Sequence, residues 1–299
     1  MKKIILILLT GLTIGKIQSQ NINDALRYAQ DNLNGTARFR AMGGAFGALG
    51  GDFSAINVNP AGSAVFANNQ AGFTLSNYNI NNNSNYFGKN ASEINNSLDI
   101  NQAGGVFVFT NPKEKTNWSK FAVAVNYENT NNFDNTVFSA GTNPTNSISN
   151  YFLYYANANQ LWSGISLGTL QNADFQDLNF QDQQAFLGYQ SYVIDPIDDS
   201  NPNNSIYFSN VPNGGNYYQE NETTSNGYNG KLSINASAQY TDKFYFGLNI
   251  NTYFIDYRQS SSFYESNNNP QNANPQRTIN RLRFNNDLYT YGSGLSFQL

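Results

Sequence analysis

The sequence predicts an all-β fold, an antiparallel transmembrane β-barrel. Three observations lead to this prediction: an N-terminal export signal, an unusual composition, and strands that alternate between apolar and neutral polar residues. Aromatic residues make up 15% of the chain and charged residues 12%, which is about half the usual charged share. Asn, Gln, Ser and Thr supply most of the remaining polarity. This composition is typical of a barrel with an apolar exterior, a neutral polar interior and long polar loops.

Residues 1–19 have the layout of a secretory signal peptide. Lys2 and Lys3 precede an apolar run over residues 4–14, and the small residue Ser19 precedes an expected cleavage point near Gln20. The apolar run is too short to span a bilayer. A short N-terminal anchor is the alternative interpretation. The sequence therefore predicts export, with the outer membrane of a Gram-negative cell as the destination.

Charge and residue usage exclude several functions. Without Lys2, Lys3 and Lys16 the basic residues fall from 16 to 13 against 20 acidic residues, so the net charge of the mature chain is about −7. That balance argues against a nucleic-acid partner. The chain has no cysteine and no histidine, which excludes disulfide bonds and Ser-His catalysis. We expect no enzymatic activity and no cofactor.

Several segments alternate with a period of two residues. Lys231–Tyr240 places Leu232, Ile234, Ala236, Ala238 and Tyr240 on one face and polar residues on the other, and residues 244–254 and 120–127 do the same. About ten residues is the length that a tilted membrane strand needs. Further strands are predicted at 70–80, 101–110, roughly 252–265, and from Leu288 to Leu299. A very short turn, Thr241-Asp242, is expected on the periplasmic side.

A soluble β-sandwich is the alternative fold, because half-buried strands alternate as well. The polar faces of these strands contain Ser, Asn, Gln and Gly and little charge, which favours a wet barrel interior. Tyr, Phe and Trp at strand ends would fit the aromatic girdles at the two membrane interfaces.

Residues 130–226 contain no convincing membrane strand and predict a large extracellular excursion with two short amphipathic helices. The first has Ser149 as its predicted N-cap and an apolar stripe from Tyr151 (Tyr154, Tyr155, Ala158, Leu161, Trp162 and Ile165). The second starts at Asp182. The excursion either packs on the barrel rim or offers a surface that captures an apolar ligand. Tyr155, Trp162 and Phe186 are the candidate capture residues.

The remaining motifs are weak. Residues 44–50 share only glycine density with a phosphate-binding loop. Asp199, Asn201 and Asn203 match the first ligand positions of a calcium loop, but Asn204 and Asn210 stand where glycine and glutamate belong. No metal site is predicted, and calcium binding at 195–204 stays open. Arg281 and Arg283 share a strand face with Asn285 and Asp287, either as a charge cluster inside the barrel or as a solvated strand end.

Residues 20–68 are predicted to form a plug. The stretch "ARFRAMGGAFGALGGDFSAINVNPAGSAVF" resembles the N-terminal hatch of the long-chain fatty acid transporter (FadL/TodX) family of outer-membrane β-barrels. That family reads as an Arg-Ala start, a glycine/alanine stretch, an acid, and Asn-Pro-Ala before the first strand. The corresponding elements are Arg40-Ala41, residues 43–51, Asp52 and Asn59-Pro60-Ala61, so the motif covers about 35 residues.

The resemblance implies a 14-stranded barrel plugged by this segment, which passes hydrophobic compounds such as long-chain fatty acids or aromatic hydrocarbons. It implies that Asn59, Pro60 and Ala61 contact the ligand pathway, and that Phe46 and Phe53 reach the same pocket. The partners would be hydrophobic small molecules, outer-membrane lipid and lipopolysaccharide, and the protein would be a monomer. The alternative is a non-transporting surface β-barrel, an adhesin or general porin, that acts through its Asn-rich loops.

The predicted barrel, residues 69–299, has only seven or eight strands. Since this number is too small to close around a plug, we expect a fragment of a longer protein, an open partial barrel with the plug against its concave face. The full product would continue for roughly another 150 to 250 residues.

Overall fold

A computed structural model describes residues 26, 27, 30, 32–111, 116–161, 163–271 and 277–299. The predicted signal peptide, residues 1–19, lies outside this part of the chain. Within it, no helix combines the length and the apolar character needed to cross a membrane.

The described chain is dominated by one antiparallel sheet, as predicted. Its strands are β1 (Gln70–Tyr86), β2 (Lys89–Thr110), β3 (Trp118–Asn132), β4 (Asn135–Asn143), β7 (Tyr217–Tyr240), β8 (Phe244–Ser266) and β9 (Arg281–Gln298). The order is β1-β2-β3-β7-β8-β9, and β4 continues the path of β3 along β7. A separate two-stranded ribbon joins β5 (Ile194–Pro196) to β6 (Tyr207–Ser209). In the described residues the sheet is open, with β1 and β9 at its ends.

Short helices lie before the sheet and inside the long connection from β4 to β7. The first group comprises α1 (Ala37–Ala41), α2 (Ala55–Val58) and a 3-10 helix (Pro60–Val65). The second comprises α3 (Ser149–Ala156), α4 (Leu167–Asn172), a 3-10 helix (Phe175–Asp177) and α5 (Phe180–Gln190).

The two faces of the sheet have the polarity that the alternation predicts. In β7, Ile234 is 51% exposed whereas Asn235 is 1% exposed; in β8, Phe246 is 55% exposed whereas Asn249 is fully buried. We call the side with the exposed apolar residues the apolar face and the other side the polar face. A soluble sheet has the opposite arrangement, because water favours polar side chains and the core favours apolar ones.

Several predicted boundaries were wrong. Residues 244–254 and 252–265 form one strand, β8, and the last strand begins at Arg281 rather than near Leu288. Helix α3 ends at Ala156, and Ser149 is its first residue, not its N-cap. The Ser147 hydroxyl accepts the Ser149 N–H instead.

The stretch 130–226 contains more strand than predicted. Strand β3 runs to Asn132, β4 lies wholly inside the stretch, and β7 starts at Tyr217. Both faces of these segments carry polar residues, so they lack the apolar alternation by which a half-buried strand is recognised. Their pairing depends on β7, which holds β4 on one side and β8 on the other.

Arg281, Arg283, Asn285 and Asp287 are all exposed at the start of β9. They lie on the same face as Tyr289 and Leu295, two exposed residues of the apolar face. The structure therefore favours a solvated strand end over a charge cluster on the polar face.

One buried carboxylate joins the helical connection to the sheet. Glu265 of β8 is 1% exposed and accepts hydrogen bonds from the Ser147 hydroxyl, from the Ile148 N–H at 2.8 Å and from Gln219 Nε2 at 2.7 Å. The Tyr86 hydroxyl donates to the other end of the Gln219 amide. This network connects the start of α3, β7, β8 and the tip of the β1–β2 hairpin.

We predict that Glu265→Ala destabilises the helical connection. The substitution leaves the Ser147, Ile148 and Gln219 donors without their acceptor, at a cost of about 3 kcal/mol. Limited proteolysis of residues 144–216 should become faster. The control is Glu222→Ala, which removes an exposed carboxylate from β7; equal proteolysis rates in the two variants would contradict the prediction.

Candidate functional site

The N-terminal segment, residues 32–66, covers the polar face of the sheet, and we call it the plug. Asn249 Nδ2 donates to the Ile56 carbonyl at 2.8 Å and Asn235 Nδ2 to the Pro60 carbonyl at 2.9 Å. The Ser63 hydroxyl bonds to Ser237 Oγ at 2.5 Å. Uncharged side chains of β7 and β8 thus bind the backbone and a hydroxyl of the plug.

Apolar contacts flank these hydrogen bonds. Phe53, Ile56 and Phe66 of the plug form one buried cluster with small apolar residues of the sheet, namely Val106, Ala122 and Ala124. Alanines on β3 leave room for the aromatic rings. The seat of the plug therefore combines apolar burial with directional hydrogen bonds.

Asn59-Pro60-Ala61 forms a turn on this seat. Asn59 Oδ1 accepts the Ala61 N–H at 3.0 Å and caps the 3-10 helix, and Asn59 Nδ2 donates to the Gly47 carbonyl at 2.9 Å. Pro60 occupies the first helical position, where its missing N–H costs nothing. The asparagine thus fixes the glycine-rich part of the plug to the turn.

The turn requires a glycine in the sheet. A Cβ atom on Gly247 of β8 would overlap the backbone of Pro60 and Ala61. Phe53 has a similar requirement, since a Cβ atom on Gly104 would lie 3.1 Å from its ring. Close approach of two backbones is a common reason for glycine within a strand.

Phe46 and Phe53 lie in different clusters. Phe46 is fully buried inside the plug, against Phe39 at 5.3 Å and beside Ala55. Phe53 faces the sheet and packs on Phe66 at 5.4 Å. The two rings belong to separate clusters, because the plug folds its own small core around Phe46.

An ion pair lies on the polar face beside the plug. Lys231 Nζ of β7 is 3.7 Å from Glu128 Oε2 of β3, and Asn57 Nδ2 of the plug donates to the same carboxylate. The two charged residues are cross-strand partners. A cavity of about 280 Å³ beside them is also lined by Leu33 and Val58 of the plug.

The helical connection has its own apolar core. Its buried members come from α3, α4, α5, β5, β6 and the start of β7, with Phe152, Leu170, Val193, Ile194, Tyr207 and Tyr217 among them. Burial raises the pKa of Tyr207, and its hydroxyl donates to the Ile165 carbonyl at 2.9 Å.

A groove of about 640 Å³ runs between α3, α5 and the ends of β8 and β9. Its apolar lining comprises Ile148, Tyr151, Phe152, Phe175, Phe180, Leu187, Phe263 and Phe284, with amides such as Gln183 and Asn286 at its margin. Burial, with a smaller effect from Tyr155, raises the pKa of Tyr151 to about 12. Its hydroxyl donates to Gln184 Oε1 at 3.0 Å.

The predicted capture residues do not line this groove as a set. Tyr155 and Phe186 are half-buried and pack against the core of the helical connection, and Trp162 lies outside the described residues. The sequence did not predict that Phe175, Phe180 and Leu187 line the groove. Leu187 could have been found from the exposed side of the second helical stripe, but Phe263 and Phe284 reach the groove only through the pairing of β8 with β9.

Two carboxylates in and beside the acidic loop bond to neighbouring donors. Asp195 is buried and accepts from Asn210 Nδ2 at 2.7 Å, and hydrogen bonds from Ser200 lower the pKa of Asp198. Among the described residues, no three His, Cys, Asp or Glu side chains are grouped so that they could hold a metal ion.

Comparison of the chain with protein-family models, with curated proteins and with solved structures found no match. The resemblance of the plug to a transporter family stays a prediction from the sequence.

We predict that Gly247→Ala loosens the plug. The added methyl group overlaps the Pro60 backbone, so the plug must shift, at a cost of about 2 kcal/mol. Protease should cut residues 40–66 faster in the folded protein. Gly292→Ala in β9 is the control, because a Cβ atom there meets nothing within 4 Å; equal cleavage in both variants would show that the plug does not depend on this contact.

Proposed function

We propose that this protein lies in an outer membrane and passes hydrophobic compounds, such as long-chain fatty acids or aromatic hydrocarbons, by passive diffusion along its plugged polar face. One observation carries the proposal: the sheet exposes its apolar face and covers its polar face with the plug. An exposed apolar face is energetically favourable when it is surrounded by lipid.

The dimensions of the apolar face support a membrane location. Along β8 it extends from Phe244 to Phe254, beyond which Asp256 and Arg258 form an ion pair at 3.4 Å on the same side. Ten residue steps cover about 33 Å along a strand, and a tilt of about 40° reduces this to roughly 25 Å. That height equals the apolar band of an outer-membrane barrel.

Aromatic clusters lie near both ends of this band. At the end with the short turn, Trp118 contacts Tyr240 at 5.1 Å and Phe246 at 6.0 Å. At the other end, Phe254 contacts Tyr127 and Tyr228, each at 6.0 Å. Two such groups fit the girdles at the membrane interfaces.

Transport of an apolar compound is supported by the order of features along the polar face. The groove includes Phe263 near the loop end of β8, and the plug binds Asn249 nearer the short turn. The proposed transport requires a compound to pass from the groove along the polar face to the plug. Neutral hydrogen bonds hold most of the plug, so a shift of this segment would separate few charges.

We predict that Ile250→Lys prevents assembly into the outer membrane. Ile250 lies in the middle of the apolar band and pairs with Ile234, where a lysine costs about 2 to 4 kcal/mol in lipid. Ser260→Lys is the control, since Ser260 lies beyond the band and pairs with Asp287. Membrane fractionation should recover the control only; recovery of both variants, or a wild-type chain in the soluble periplasm, would overturn the location.

We predict that Leu187→Gln lowers uptake of a labelled long-chain fatty acid by whole cells. Leu187 is a 43% exposed wall of the groove, and its loss should reduce the initial uptake rate about threefold to tenfold. Ile197→Gln, at a 63% exposed aliphatic residue that is not part of the groove lining, should leave uptake unchanged. Equal uptake by cells with and without the gene would contradict transport and favour a surface role.

A further inference from the structure

The outer half of the β1–β2 hairpin carries a regular row of amides. Asn77, Asn79, Asn81, Asn83 and Asn85 occupy every second position of β1 and are all exposed on the side of the apolar face. We call this row the asparagine ladder. Asn96, Ser92 and Asn90 of β2 lie opposite three of its members, whereas Asn77 and Asn81 face the exposed apolar residues Leu98 and Ile94.

The ladder contains no charged residue. Lys89 and Glu93 of the same hairpin pair with Tyr86 and Asn82 and therefore belong to the opposite face. Asparagine is also depleted in strands because its short polar side chain stabilises turns instead. The repeated amides at exposed strand positions therefore indicate a role in hydrogen bonding.

Most of that capacity is open to an external partner. Asn79 Nδ2 donates to Asn96 Oδ1 at 2.6 Å, Asn85 Nδ2 to Asn90 Oδ1 at 2.5 Å, and Ser92 Oγ to Asn81 Oδ1 at 3.0 Å. An amide has two donor hydrogens and an oxygen with two lone pairs. These cross-strand bonds orient the amides and use only part of each.

The opposite face of the hairpin is fixed. Asn82 Nδ2 donates to the Thr136 carbonyl at 2.7 Å, and Ser84 Oγ donates to the Phe138 carbonyl at 2.6 Å. These bonds attach the hairpin to the free edge of β4. The ladder is therefore preorganised, which lowers the entropy cost of binding.

The geometry points to uncharged oligosaccharide as the partner, and we propose that the ladder binds the neutral sugar residues of lipopolysaccharide. Amides that both donate and accept, spaced about 7 Å along the strand and about 5 Å across it, match a ligand with many hydroxyl groups. Phosphate or nucleic acid would require lysine or arginine.

The position of the ladder indicates which molecule supplies the sugar. Phe73 and Leu75, exposed residues of the apolar face, directly precede Asn77 on β1. On β1 the ladder thus begins where the apolar residues end and extends for about 26 Å along the strand, whereas on β2 exposed apolar residues continue as far as Ile94. This step rests on the proposed outer-membrane location, in which the sugar layer lies immediately outside the apolar band.

The test uses the purified full chain in detergent and the oligosaccharide released from lipopolysaccharide by mild acid. The ladder variant combines Asn79→Thr, Asn81→Thr and Asn83→Thr, because threonine keeps strand propensity and removes the amide. Calorimetry should show an affinity about tenfold weaker than that of the wild type, through the loss of several hydrogen bonds. The matched control, Asn172→Thr, Asn201→Thr and Asn203→Thr, changes three exposed asparagines outside the sheet and should bind as the wild type does.

Three results would overturn the proposal: no binding by the wild type, equal binding by the ladder variant, or an affinity that falls with salt, which would indicate a charged contact. A ladder variant that changes only the sedimentation coefficient would instead identify a contact between copies of the chain. Fractionation and fatty-acid uptake of the same variants separate the two proposals. Failure of sugar binding leaves outer-membrane location and uptake intact, whereas a wild-type chain absent from the outer membrane removes lipopolysaccharide as the source.

Discussion

The paired ladder of β7 and β8, from Tyr218 opposite Ser266 to Tyr240 opposite Phe244, is the interaction on which the other parts of the structure depend. A strand sends alternate side chains to opposite faces, so a slip of one residue would exchange every apolar and polar position. Correct register gives the plug its polar seat and gives the other side its apolar residues. At the loop end, the same two strands hold β4 and Glu265, and through them the helical connection.

The plug adds a requirement for small residues. Its turn at Pro60 lies against Gly247, and Phe53 lies against Gly104. A larger residue at Gly247 would keep the two backbones apart, and one at Gly104 would displace the Phe53 ring. The asparagine hydrogen bonds to the Ile56 and Pro60 carbonyls would then lengthen and weaken. Glycine in the strands and a proline turn in the plug are thus two halves of one contact.

The sequence predicted those features that depend on a two-residue alternation within a single strand. Alternation identified the apolar face at Ile234 and Phe246. The sequence could not reveal β4, since its polar residues fall on both faces and leave no period-two signal. Nor could it reveal the groove, because Phe263 and Phe284 meet α3 and α5 through pairings between distant segments. The burial of Glu265 likewise results from contacts between distant segments, which the sequence does not show.

The placement of charge determines what a movement of the plug would cost in the proposed transport. Glu128 and Lys231 both belong to the sheet and face each other across β3 and β7, so their ion pair survives when the plug leaves. A charge on the plug in place of Asn57 would have to be separated from its buried partner, which costs several kcal/mol. The Asn235 and Asn249 amides lose one neutral hydrogen bond each, about 1 kcal/mol net, and water can replace the plug carbonyls as acceptor. The electrostatic cost of displacing the plug is therefore low, and the burial of Phe53, Ile56 and Phe66 against the sheet contributes the larger part of what holds it.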